Sequence, residues 1–118
     1  MDRVDKYREI IHRILVEYRN WYQDPTDKEV DTEIIRDDVN GQYLLMRVGW
    51  HGETRIRRPL FYLRLRGSEI WIEEDWTEEG VNTALRDAGV PLEDIVQAYN
   101  PPFLRSQLPE SETTMSKG

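Results

Sequence analysis

The segment that decides the fold is 40-NGQYLLMRVGWHGETRIRRPLFYLRLRGSEIWIEE-74, in which short turn signals separate apolar runs. The turn signals are Asn40-Gly41, His51-Gly52 and Gly67-Ser68. The first of them is typical of a type I′ hairpin, which needs positive φ at both turn positions. Connections this short make neighbouring strands antiparallel. The segment and the residues before it therefore predict a four-stranded antiparallel β-meander with strands over 30–36, 42–50, 53–66 and 69–74.

Helical patterns lie on both sides of the meander. Apolar residues recur every three or four positions over 3–22, and Asp2 is placed to cap this helix. A second helix is predicted over 75–88 with Thr77 as its N-cap, followed by one more helical turn over 91–96.

The predicted fold class is α+β. A long N-terminal helix precedes the four-stranded antiparallel meander, and the second helix and the short helical turn pack with it on one sheet face. Residues 1–106 are predicted to form a single domain. The tail over 107–118 is rich in Ser, Thr and Glu, has little to bury, and is predicted to be disordered.

The predicted strands carry more apolar surface than two helices can cover. Apolar residues are continuous, rather than alternating with polar ones, over 44–46, 60–63 and 70–72. The second face must then meet another protein or the extended C-terminal arm that is predicted over 99–103. We expect a protein interface there, with a homo-oligomer, first a dimer, as one form of it. Pro59, which cannot donate a ladder hydrogen bond, predicts a bulge or an unpaired stretch in the third strand.

Composition restricts the class of protein. The chain has 118 residues, of which 38% are hydrophobic, which suits a single core. Because it has no cysteine, it has neither a disulfide framework nor a thiolate site. Charges interrupt residues 1–20, so no signal peptide is predicted, and no apolar run is long enough to span a bilayer; a cytoplasmic location is expected. The net charge of −7 argues against a protein whose main task is to hold duplex phosphate.

Charge is segregated along the chain. Basic residues dominate one stretch, namely Arg47, Arg55, Arg57, Arg58, Arg64 and Arg66. Acidic residues follow directly, namely Glu69, Glu73, Glu74, Asp75, Glu78 and Glu79. Two interpretations stay open: cross-strand ion pairs with solvated faces, or an arginine patch for an acidic partner or nucleic acid.

A search for catalytic chemistry finds no matching pattern. His12 and His51 are the two histidines, and neither has a second ligand at metal spacing. Glu73, Glu74 and Asp75 alternate between sheet faces and so cannot converge on one cation. The prediction is a protein that is not an enzyme, with no catalytic residues, no metal and no cofactor.

Several segments, taken in order, resemble the XisI family, the fdxN-element excision controlling factors. They are VDKYREII at 4–11, VGW at 48–50, EIWIEED at 69–75 with Thr77-Glu78, AGVP at 88–91, EDIV at 93–96, and Pro102 with Arg105. Trp76 stands where the family pattern has a small residue. The resemblance implies an accessory role in the site-specific excision of a DNA element, a form of DNA recombination. It also implies an XisH-type protein partner, while a separate recombinase exchanges the strands.

Protein–protein contact is therefore the leading hypothesis for function. The residues left unexplained by the scaffold are the predicted partner contacts: Trp50, Arg55, Arg57, Arg58, Arg64, Arg66, Pro101 and Pro102. One alternative is an antitoxin-like inhibitor, or a partner module, of a nuclease-like protein. A further alternative is direct DNA binding through the patch between Arg47 and Arg66, with affinity that falls steeply with salt.

Overall fold

The computed structural model describes residues 2–101 of the chain. Pro102 and the predicted tail lie outside the described residues. The elements run in the order α1 (Arg3–Tyr22), β1 (Val30–Asp37), β2 (Gln42–His51), β3 (Thr54–Arg66), β4 (Glu69–Asp75), α2 (Val81–Asp87), a 3₁₀ turn (Leu92–Asp94) and β5 (Ile95–Gln97).

The predicted meander is confirmed, but the sheet has five strands rather than four, in the order β1-β2-β3-β4-β5. The first four strands are antiparallel neighbours. The chain then crosses over through α2, and β5 pairs parallel to β4, with Ile70 opposite Ile95. The helical turn predicted over 91–96 ends at Asp94. Three residues are too few to show a strand pattern in the sequence. They form β5 because the backbone groups along the edge of β4 are available for pairing.

The first hairpin is not the predicted type I′ turn. Asp37 pairs with Gln42, which leaves a four-residue loop over 38–41, and Gly41 alone in that loop has positive φ, at 67°. The side chain of Asp37 accepts from the backbone N–H groups of Val39 and Asn40, at 3.0 and 3.1 Å. These side-chain-to-backbone bonds stabilise the longer loop.

The bulge predicted at Pro59 is confirmed. Leu45 of β2 pairs with Phe61, whereas the next residue, Met46, pairs with Pro59. Leu60 is therefore the extra residue, and its side chain is buried in the core. The extra residue inverts the in-and-out alternation between the two halves of β3.

Helix α1 starts as predicted and covers one face of the sheet. The carboxylate of Asp2 accepts from the backbone N–H of Asp5 at 2.9 Å. The buried residues of α1 pack in one cluster with sheet residues such as Tyr43 and Phe61; among them are Tyr7, Ile11 and Ile14. At the far end of the helix, the side chain of Gln23 accepts from the N–H of Thr32 at 2.7 Å, which attaches the helix to the edge strand β1.

Helix α2 begins later than predicted, at Val81, and Thr77 is not its N-cap. Gly80 precedes the helix with φ of 88°, which no α-helical residue adopts. Asp75 organises the intervening loop instead. Its carboxylate accepts from the N–H of Thr77 at 3.0 Å and from the N–H of Val81 at 2.7 Å. Val81 and Leu85 join the same core cluster as α1, so both helices lie on one sheet face, as predicted.

The 3₁₀ turn is attached to α1 by a buried polar contact. Asp94 is 9% exposed and accepts from the hydroxyl of Tyr7, and Arg3 lies 3.6 Å from the same carboxylate. Between residues 2 and 101, neither helix has both the length and the apolar character that crossing a membrane would take.

Gly49 lets the end of β2 pack closely against the residues at the start of β1. It has φ of 156°, and a Cβ at this position would lie 1.9 Å from the carbonyl oxygen of Glu29. The neighbouring Trp50 donates its backbone N–H to that carbonyl at 3.0 Å. Any side chain at position 49 would therefore separate the start of β1 from the end of β2.

We expect Gly49→Ala to lower the free energy of unfolding by about 3 kcal/mol or more, because backbone must move to admit the methyl group. The matched control is Gly52→Ala, where φ is 60° and the surroundings are open. That control carries only the left-handed penalty of about 1–2 kcal/mol. Urea unfolding of both variants measures the difference. Equal losses would contradict the proposed clash.

Candidate protein interface

The face of the sheet opposite the helices is apolar along its centre. The core residues of the strands point to the helices, so their neighbours point to this second face, which we call the open face. Its apolar members are Ile35 on β1, Leu44, Met46 and Val48 on β2, Tyr62 on β3, Trp71 on β4 and Val96 on β5. Ile35 is 49% exposed, and Leu44, Met46 and Val48 are partly exposed.

Charged residues flank this apolar column. On the β1 side, Asp31 and Glu33 point to the open face, since they pair with Val48 and Met46. On the β3 side, Arg57 pairs with Val48 from the other direction. The open face is therefore acidic at one edge, apolar in the middle and basic beyond it.

Trp50 and Arg55, two of the predicted contact residues, lie together at one end of the open face. The guanidinium of Arg55 lies 5.3 Å from the centre of the Trp50 ring. It also donates to the carbonyl of Gly49 at 3.3 Å. Trp50 is 46% exposed, so this cation–π pair is displayed at the surface.

Arg64 and Arg66, also predicted contacts, lie at the other end of the open face and have partners within the chain. Arg64 donates to Glu73 at 3.2 Å, and Arg66 stacks 4.5 Å from the centre of the Trp71 ring. The ion pair of Arg64 is a cross-strand contact of the kind that the first of the two interpretations expects, and the second interpretation stays a prediction.

Arg58 does not join this face. It pairs with Arg47, which pairs with the buried Thr32 on the helix-bearing side. The basic stretch between residues 47 and 66 is thus divided between two sides of the sheet, and it forms no single continuous basic surface. Pro101 is exposed at the end of the described chain.

A second surface, which the sequence analysis missed, lies where α1 ends beside the loop before α2. Trp21 is 68% exposed, although its place in the three-and-four spacing over 3–22 predicts a buried residue of α1, and that prediction was wrong. Its ring lies 4.9 Å from that of Tyr18, which stacks on Tyr22 at 6.2 Å. These rings and the loop residues Thr77, Glu78 and Glu79 line a cleft of about 290 Å³. We call this surface the aromatic corner.

Trp76 gives the loop above β4 a further exposed aromatic group. It is 64% exposed, and its indole N–H donates to Glu74 at 3.1 Å. Its departure from the family pattern was the sequence signal that could have marked this loop as a surface. Trp21 had no such signal, because its spacing matches that of a buried residue.

The aromatic corner is electrostatically negative. Burial raises the pKa of Tyr18 to about 12, and the carboxylates of Asp75, Glu79 and Glu17 add to the effect. A cleft with aromatic walls and carboxylates has the chemistry that recognises ammonium and guanidinium groups.

Both histidines are engaged with aspartates. His12 lies 2.8 Å from Asp38, and this contact is the main reason that the pKa of Asp38 is lowered. His51 lies 3.2 Å from Asp27. Among residues 2–101, no three His, Asp or Glu side chains come together in a way that could hold a metal ion.

Comparison with known proteins identifies relatives of the whole domain. The family model described as XisI protein matches residues 1–109. A crystal structure of a XisI-like protein from Anabaena variabilis is 30% identical and has a TM-score of 0.82, covering 89% of this chain and 94% of that one. The fdxN element excision controlling factor XisI from the same organism is 31% identical with a TM-score of 0.76, covering 88% of this chain and 99% of that one. No curated protein matches significantly.

The raised pKa of Tyr18 predicts a loss of stability at high pH. Tyrosine in the unfolded chain ionises near pH 10, whereas Tyr18 in the folded chain keeps its proton to about pH 12. The stabilisation is full below pH 10 and is lost as the pH rises through 12.

Absorbance at 295 nm should show one fewer tyrosine titrating near pH 12 in Tyr18→Phe than in the unmodified chain. Glu79→Gln should lower the pKa of Tyr18, because it removes one of the carboxylates. An unchanged titration in both variants would contradict this description of the corner.

Proposed function

The chain belongs to the XisI family, and we propose that it is a non-enzymatic controlling factor in the excision of a DNA element. It acts by binding proteins. An XisH-type protein is its direct partner, and a separate recombinase carries out the strand exchange.

The observation that carries the protein-binding part of this proposal is the open face. A half-exposed Ile35 and the partly exposed column of β2 form an apolar surface that neither helix covers. Proteins rarely leave a continuous apolar patch of several hundred square ångströms unused, and such patches mark sites of protein contact. The role named for the similar Anabaena variabilis structure, an excision controlling factor, agrees with a protein that regulates through contact.

The aromatic corner is the surface we assign to the XisH-type partner. Tryptophan is strongly enriched among the residues that dominate binding energy. Trp21, which lines the cleft, is 68% exposed, and Trp76, one residue before the cleft residue Thr77, is 64% exposed. Glu78 and Glu79 in the cleft favour a basic partner segment, whose charged groups would lie against the rings.

A second candidate function follows from the same acidic corner. The chain carries a net charge of −7, and acidic proteins can cover the basic surface of an enzyme that acts on nucleic acid. In this role the chain would inhibit a nuclease-like partner, as an antitoxin does. Relief of the partner's toxicity on co-expression would support inhibition, whereas a partner that is harmless alone supports the excision role.

We expect Trp21→Ala and Trp76→Ala each to weaken binding to a co-expressed XisH-type protein by about 30-fold, the scale of an interface hot spot. Affinity measured by calorimetry on the purified proteins tests this. The control is Val39→Ala, because Val39 is 92% exposed at the tip of the first hairpin, away from the corner. Equal affinity in all three variants would refute the assignment of the corner.

The purified chain should not cleave DNA when Mg²⁺ is added. Cleavage that depends on the ion and disappears in Asp75→Ala would overturn the non-enzymatic role. Asp75 also holds the loop before α2, so circular dichroism must first show that this variant is folded.

A further inference from the structure

We propose that the open face binds a second copy of this chain, about a two-fold axis that runs along β2. The inference deepens the proposed protein-binding function and rests on it, but it concerns a different surface from the aromatic corner.

The register of β1, β2 and β3 places unlike groups in rows across the open face. In one row Asp31, Val48 and Arg57 are neighbours. Two residues along β2, Glu33, Met46 and Pro59 form the next row. Each row begins with an acid on β1 and has an apolar side chain on β2. On β3 the first row ends in Arg57 and the second in Pro59, so the Asp31 row carries the opposite charges.

The next row, toward the first hairpin, is apolar throughout. It consists of Ile35, Leu44 and Tyr62. Leu44 and Tyr62 are partly exposed, and Ile35 is 49% exposed. This row supplies the part of an interface that loses water completely, while the charged rows lie toward its rim.

When two copies meet through their open faces, the two-fold axis can run across the strands or along β2. Only the axis along β2 places opposite charges face to face. An axis across the strands would place β1 of one copy over β1 of the other, acid against acid. An axis along β2 places β1 over β3 of the second copy. Asp31 then faces Arg57 of the second copy, Ile35 faces Tyr62, and Leu44 meets its own equivalent.

The charges involved are available for such contacts. Asp31, Glu33 and Arg57 form no ion pair with any other residue in the range 2–101. At the opposite end, Arg64 is already paired with Glu73. The end of the open face nearer Trp50 therefore supplies the polar selectivity of the dimer.

The face approaches the size that a dimer needs. The axis along β2 brings three strands face to face, β1 to β3. With strands about 4.8 Å apart and about 3.3 Å per residue over the length of β2, they give a flat footprint of roughly 500 Å² per copy. Because side chains project from the sheet, the solvent-accessible area of the face is larger than this flat footprint. Stable complexes bury about 800 Å² per partner.

The test is a charge exchange read by light scattering behind a sizing column, across a dilution series of the full chain. The unmodified chain should have the mass of a dimer. Asp31→Arg and Arg57→Glu should each raise the dissociation constant about tenfold or more, because every dimer contains the contact twice. The double variant Asp31→Arg with Arg57→Glu should restore dimerisation, since opposite charges again face each other.

Lys6→Glu is the matched control, because it reverses an exposed charge on α1 and should leave the mass unchanged. A monomeric unmodified chain at the highest concentration would overturn the inference, and would mean that residues 102–118 or a different protein occupies the open face. Single variants that behave like the unmodified chain, or a double variant without rescue, would equally overturn this geometry.

Failure of the dimer can be told apart from failure of the proposed function. A monomer that still binds the XisH-type protein leaves the protein-binding role intact and removes only the second copy. A dimer that binds no such protein supports self-association through the open face and contradicts the proposed XisH-type partner.

Discussion

The structure depends on the fact that one helix layer can cover only one face of its sheet. Tyr7, Ile11 and Ile14 of α1, with Val81 and Leu85 of α2, bury the strands from a single side. Burial of that side supplies the hydrophobic stabilisation of the domain. The strands nevertheless carry apolar residues on both sides, so some of the chain's apolar side chains lie outside its own core. A sequence selected only for folding would place polar residues at Leu44, Met46 and Val48.

The bulge at Leu60 determines which arginines share the open face. In an unbroken strand, Arg55 and Arg57 would point to one side and Arg64 and Arg66 to the other, because side chains alternate with a period of two. One extra residue inverts the alternation in the middle of β3, and both pairs reach the same side. Pro59 makes the bulge favourable, since its ring nitrogen has no proton to donate to the ladder. The charge pattern of the surface thus follows from one backbone irregularity.

The sequence was sufficient where the signal is local and periodic. The capping of α1 by Asp2, the four antiparallel strands and the bulge at Pro59 were all predicted, because helical spacing, turn residues and a missing N–H act within a few positions. It was insufficient where a distant partner decides the structure. β5 is a strand only because β4 lies beside it, and α2 starts at Val81 because the carboxylate of Asp75 holds the loop. The exposure of Trp21 was hidden for the same reason, since periodicity cannot show where the covering sheet ends.

The aromatic corner and the open face lie on different parts of the domain, so the two surfaces can be occupied at the same time. The aromatic corner belongs to the end of α1 and the loop before α2, whereas the open face lies on the far side of the sheet from α1. Occupation of one therefore leaves the other accessible. A two-fold dimer through the open face would present two acidic, tryptophan-bearing corners. Two linked corners would bind a partner that carries two matching sites with a higher effective concentration than a single corner provides. Under the proposed function, such a dimer would act by fixing the spacing of the proteins that it holds.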